Sequence, residues 1–194
     1  LHPGALLAEF RRDNRRLWCD ADGSLSLAAT TLFWGVGATL QFAVLRWAGQ
    51  ALALPLSQAA YLQAAVAVGV IAGAASAGRW LALHQARHGL WAGVVLGLLM
   101  PVVAQIDQLL TAALTLALVG AVGGAMVVPL NALLQHRGAQ LLSAGRSIAV
   151  QGFNENLSVL AMLAVYAGCE AAGVAIELTL SGLGMLVGGA IAGL

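Results

Sequence analysis

Charge is what this sequence most lacks. Only 9% of its 194 residues are Asp, Glu, Lys or Arg, against about 25% in an ordinary soluble domain. So little charge cannot hydrate the surface of a globule, which excludes a soluble domain. It also excludes a disordered chain or a nucleic-acid binder. Lysine is absent: all nine basic residues are arginines, and the net charge is +1. The two cysteines, Cys19 and Cys169, exclude a framework of disulfides. Ten-residue segments of strict alternation are missing, which excludes a membrane barrel. The first residues are not apolar, so no signal peptide is expected there. The chain starts at Leu1 rather than Met and stops inside an apolar run at Leu194. It is therefore read as part of a longer protein.

What the sequence has is apolar length. Hydrophobic residues make up 60% of it, and the mean hydropathy is +0.88. A membrane-crossing helix needs roughly 20 apolar residues, and backbone without water must satisfy its hydrogen bonds within a helix. The expected fold is all-α and polytopic. Six transmembrane helices are expected near Leu25–Leu45, Ala59–Ala82, Leu90–Ile106, Leu109–Leu134, Ser147–Gly168 and Ala172–Leu194. Residues 1–23 are expected to form an Arg-rich amphipathic linker, and residues 24–194 the six-helix bundle.

Arginine placement sets the expected orientation. Arg11, Arg12, Arg15, Arg16, Arg79, Arg87, Arg137 and Arg146 fall in three regions that should share the cytoplasmic side. Arg46 stands alone on the other side, with Asp107, Glu170 and Glu177. Both ends should then be cytoplasmic. Trp18, Trp80 and Trp91 are expected at the inner interface and Trp47 at the outer one. In the leading segment, Leu6, Leu7, Phe10, Leu17 and Trp18 recur at helical spacing with four arginines between them. That pattern reads as a surface helix attracted to anionic lipid.

Small residues four apart on the same helix, such as Gly69 and Gly73, Gly93 and Gly97, Gly120 and Gly124, and Gly184 and Gly188, indicate close helix packing and not a function. The polar residues inside the spans are more informative, because each is costly there. On the fifth span Ser147, Gln151, Asn154, Glu155 and Ser158 fall on a stripe about 100° wide. Thr30, Trp34, Gly37 and Gln41 align on the first span. Gly120, Gly124, Asn131 and Gln135 align on the fourth, with Pro129 beside them, and the second offers Gln63 and Ser76. The third and sixth spans are almost wholly apolar and should face lipid, while the first, second, fourth and fifth should line a polar path. Glu155 is the only acid well inside a span, and it reads as a site for a substrate amine or a proton. Candidate substrate-binding residues are thus Glu155, Gln151, Asn154, Gln41, Trp34, Asn131 and Ser158. No metal or cofactor is expected: His84 and His88 have metal-like spacing but lie in a basic loop without a third ligand. Enzyme chemistry is not expected either. Ser76 has no intramembrane His to activate it, and Asp13, Asp20 and Asp22 do not cluster with Asp107.

Several stretches carry a resemblance. Leu32-Phe33-Trp34-Gly35, Val128-Pro129-Leu130-Asn131-Ala132-Leu133-Leu134-Gln135, and Ile148-Ala149-Val150-Gln151 with Glu155-Asn156 resemble the bacterial lysophospholipid transporters of the major facilitator superfamily. The resemblance runs from about Leu25 to the end of the fifth span. It implies the C-terminal half-bundle of a major facilitator fold, with the Arg-rich segment as the link between halves. It implies movement of lysophosphatidylethanolamine and related lysolipids from the outer to the inner leaflet of the bacterial inner membrane. Its implied partners are the N-terminal six-helix half and a cytoplasmic acyltransferase/acyl-ACP synthetase that reacylates the lipid. The family pattern has a basic residue where Gln41 stands; Gln41 can hydrogen-bond a phosphate oxygen without the charge. Two other readings stay open: a proton-coupled drug or sugar carrier, and a non-transporting half-bundle that scaffolds partners.

Overall fold

The computed structural model describes residues 3–194. It contains helices α1 (Pro3–Cys19), α2 (Ala21–Ala51), α3 (Leu56–Trp80), α4 (Gly89–Val103), α5 (Leu109–Leu141), α6 (Ala144–Ala171) and α7 (Ile176–Ala192), with a 3-10 turn at Leu83–His88. No strand occurs among the described residues. The expected six spans appear as α2 to α7. Five helical segments are long and apolar enough to cross a membrane, and α7 is a shorter apolar helix of 17 residues. The chain is a multi-pass membrane protein.

Local chemistry sets the helix ends. Asp20 caps α2, its carboxylate accepting the Gly23 amide at 2.9 Å. Ser143 caps α6 through the Arg146 amide. At the other end of α6, Gly173 takes φ +69° and its amide bonds the Glu170 carbonyl. That left-handed step suits glycine and delays α7 to Ile176, four residues later than the apolar pattern suggests. Between α2 and α3 the left-handed position is held by Ala53, φ 51°.

Glycines decide which helices pair. Gly69 and Gly73 of α3 lie so close to α5 that an added Cβ would fall on the carbonyls of Ala117 and Ala121. Gly120 and Gly124 of α5 meet the carbonyls of Val66 and Val70 in the same way. A second seam joins Gly97 of α4 to Gly184 and Gly188 of α7, and a third sets Gly35 of α2 against Ser158 of α6. Between helices in lipid such close packing replaces the hydrophobic drive available in water. The apolar centre includes Trp47, Leu62, Met100, Leu116, Met126, Leu130, Ile176 and Leu180, all fully buried. Trp47, next to Arg46, is fully buried in the bundle with Ala43, Val44 and Ala48 in the same apolar cluster. Trp18, Trp80 and Trp91 are exposed. Helices α4 and α7 each bury a glycine face on the other and expose an apolar face (Trp91, Leu98 and Val102; Leu178 and Met185).

The charged residues gather at two ends. At one end Arg87 bonds Asp22 at 2.8 Å, Arg137 bonds Asp20, and Arg146 of α6 bonds Glu9 and Asp13 of α1. The three arginine regions thus meet on one side of the bundle. The Arg137 guanidinium on Asp20 holds that carboxyl below its ordinary value of 3.8. At the opposite end Arg46 of α2 pairs with Glu170 of α6.

Candidate substrate site

The polar stripe of α6 is the face on which that helix packs. Ser147 meets α5 at Gly138, Gln151 reaches Asn131 of α5, and Ser158 lies against Gly35 of α2. At the centre is a bonded trio. The Gln151 amide donates from Nε2 to Asn131 Oδ1 and to Glu155 Oε1, both at 2.8 Å. All three members of the trio are half-buried. No arginine pairs with Glu155 among the described residues. Glu155 lies 11 residues into the 28-residue α6, about 16 Å along the helix from its start. A carboxyl held by one amide keeps an oxygen for a cation or a proton.

Asn154 is used differently. Its Nδ2 donates to Asn14 Oδ1 of α1 and to the Val150 carbonyl, each at 2.8 Å, and its Oδ1 accepts the Trp18 indole N–H at 3.3 Å. Both ends of the amide are occupied, chiefly by α1. The pairing spans 140 and 136 positions of sequence, which no local pattern reveals.

A cavity of about 780 Å³ lies beside the trio. Its walls are mainly α2, α3 and α5, with Leu96, Met100, Val159 and Val187 closing it from α4, α6 and α7. The lining is almost wholly apolar; Gln41 and Gln63 are its polar side chains, and Gln63 Nε2 donates to the Gln41 carbonyl at 2.9 Å. Trp34 forms part of the wall, edge-on to Phe33 with ring centres 5.6 Å apart. Val159, on the wall, is one helical turn from Glu155, or about 6 Å. The structure thus divides the candidate residues into three places. Glu155, Gln151 and Asn131 form the trio, with Ser158 one turn on. Trp34 and Gln41 line the cavity. Asn154 binds α1. The sequence places a path among the first, second, fourth and fifth spans but expects it to be polar. The cavity lies mainly among α2, α3 and α5, its lining is apolar (Phe42, Val66, Val70 and Met126), and α4 and α7 also reach it through Leu96, Met100 and Val187. Apolar cavity wall is indistinguishable in sequence from ordinary apolar helix surface.

Known proteins agree with the motif resemblance over nearly the whole chain. It is 38% identical over 179 residues to the lysophospholipid transporter LplT of Shigella flexneri, covering 92% of this chain and 45% of that protein. The transporter of the same name from Pectobacterium carotovorum is 39% identical over 176 residues, 90% of this chain and 43% of its own length. That of Yersinia pestis is 40% identical over 165 residues, 84% and 41%. The chain thus spans a little under half the length of these relatives. No family model matches it, and no solved structure does.

Proposed function

We propose, from the premise that this chain is homologous to the lysophospholipid transporters, that it is the C-terminal six-helix half of such a transporter and not an enzyme. Its trio and cavity are then one half of a site for a phospholipid with a single acyl chain. The headgroup lies at Asn131, Gln151 and Glu155, where the Glu155 carboxylate accepts an ethanolamine ammonium. The tail lies in the cavity walled by Trp34, Gln41 and the apolar side chains. The observation that carries this reading is the adjacency of a polar trio and an apolar cavity on a homologous chain.

Magnitudes support a functional Glu155. An acid within a membrane span costs up to about 2.5–3.5 kcal/mol on insertion scales. An interhelical hydrogen bond in a membrane returns about 0.6 kcal/mol on average. The carboxyl's one hydrogen bond, from Gln151 on the same helix, falls short of the cost. That shortfall supports a ligand-binding role for Glu155.

Orientation follows from charge, while the direction of transport is what the resemblance to the lysophospholipid transporters implies. Eight of the nine arginines fall in the three regions gathered at one end, the pattern of a cytoplasmic face. Both ends of the chain are then cytoplasmic in a bacterial inner membrane, and α1 is the link to an N-terminal half. Lysolipid moves from the outer to the inner leaflet, where an acyltransferase/acyl-ACP synthetase restores the second chain. The test is conversion of radiolabelled lysophosphatidylethanolamine to diacyl lipid in spheroplasts expressing the full-length protein. Conversion well above the vector control, reduced by Glu155→Gln at matched expression, is expected. Conversion equal to the vector control would overturn the proposal.

A further inference from the structure

Helix α1 divides its charges between two faces. Its acids, Glu9 and Asp13, both pair with Arg146 of α6, and Asp13 is only 4% exposed. Its four arginines, Arg11, Arg12, Arg15 and Arg16, are all exposed, and none forms an ion pair among the described residues. At 100° per residue they cover an arc of about 140° facing away from the bundle. One edge of that arc is apolar, with Leu7 54% and Trp18 40% exposed, and at the other stands Glu9, which is turned to Arg146.

The docked face is well anchored. Leu17 is fully buried with Leu27, Leu134 and Val150, and Phe10 meets Phe153 edge-on at 5.0 Å. Trp18 belongs to both faces. Its ring borders the arginines, while its indole N–H donates to Asn154, the residue before Glu155.

We infer that the arginine face of α1 binds anionic phospholipid headgroups of the adjacent leaflet, and that bound lipid holds α1 closed on α6. Three observations select lipid as the occupant. The arc holds four arginines and its one acidic neighbour, Glu9, is taken up by Arg146; one border is an exposed indole and leucine, and the exposed Trp80 and Trp91 lie at the same arginine-rich end. Headgroups at that level already surround the protein, and each Lys or Arg near such a surface adds attraction that salt weakens. The inference is independent of which substrate is carried. It links the lipid composition of one leaflet to Asn154, and through it to the segment of α6 that carries the trio.

The test is hydrogen–deuterium exchange of residues 3–19 in the full-length protein. It compares nanodiscs of pure phosphatidylcholine with nanodiscs of phosphatidylcholine and phosphatidylglycerol. Exchange slowed about fivefold or more by the anionic lipid is expected. The effect should disappear at high salt and in the R11Q/R12Q/R15Q/R16Q variant, whose α5 exchange stays as in wild type. Exchange indifferent to lipid charge would overturn the inference. So would slowing that survives salt and the four substitutions, or slowing that needs an added soluble protein. A readout on exchange leaves the transport proposal untouched by either result.

Discussion

One stripe of α5 meets its neighbours in two ways. Near the middle of the helix, Gly120 and Gly124 receive the backbone of α3. Two turns further on, beyond Pro129, Asn131 receives the Gln151 side chain of α6. The first contact is closed: backbone lies on backbone, with no room for a methyl group. The second is half-buried and polar, and one of its members is an ionisable group without a counter-ion. A membrane bundle gains its cohesion from the first kind of seam. The second kind adds little cohesion and carries a cost, which is why the proposal places the ligand there.

Substitutions can break that contrast, starting with the closed seam. Gly73→Val puts a side chain onto the Ala121 backbone and should abolish folded, monodisperse protein on gel filtration. Gly152→Ala meets nothing within 4 Å and should leave the yield unchanged. In the open seam, Glu155→Gln should lower lysolipid transport by about tenfold or more while leaving thermal stability near wild type, since it removes a charge and keeps the shape. Leu186→Ala, on the exposed face of α7, should do neither.

The cavity offers a milder probe. Gly37 lies on its wall with open space where a Cβ would go. Gly37→Leu should therefore fold, yet shorten the tail space. Transport of long-chain lysolipid should fall several-fold more than that of a short-chain analogue, measured side by side.

Two smaller effects concern the frame. Asp20 has its pKa lowered by Arg137, so their pair stabilises the fold above the ordinary carboxyl value of 3.8. That contribution is lost as pH falls through the depressed pKa. Arg137→Gln should melt below wild type at neutral pH, and the gap should close only in strong acid, as a pH series of melting temperatures would record. Ala53 holds a left-handed φ of 51°, which costs about 1–2 kcal/mol for a residue with a Cβ. Against the extra chain entropy of glycine, Ala53→Gly should stabilise by about 0.5–1 kcal/mol in a denaturation assay.

Much of the frame is legible in the sequence, because the bilayer imposes it. Apolar runs mark α2 to α7, and the heptad-like spacing around four arginines marks α1. The glycines predict close packing, but not that α3 chooses α5, or that α4 chooses α7; those pairings are tertiary. The stripe of α6 is legible as a stripe, because helical geometry fixes which residues share a face. Who shares that face is not. Asn154 reads as an equal of Glu155 until the structure brings Asn14 and Trp18 to it. The pairings of Asp20 with Arg137 and Asp22 with Arg87 span 117 and 65 positions and leave no local trace. Polar intramembrane residues declare themselves by their cost, whereas an apolar cavity wall looks like any other apolar surface.

The central claim is that headgroup and tail occupy neighbouring but different places, the trio and the cavity. Photo-crosslinking of the full-length protein with two lysolipid probes tests it most directly, one bearing its diazirine at the headgroup and one at the end of the tail. The account predicts that peptide mapping finds the headgroup label on α6 around Gln151–Ser158, and the tail label on cavity-lining residues of α2 and α3 such as Leu40, Phe42 and Ile71. Both labels on the outward faces of α4 and α7, as for bulk lipid, would contradict it.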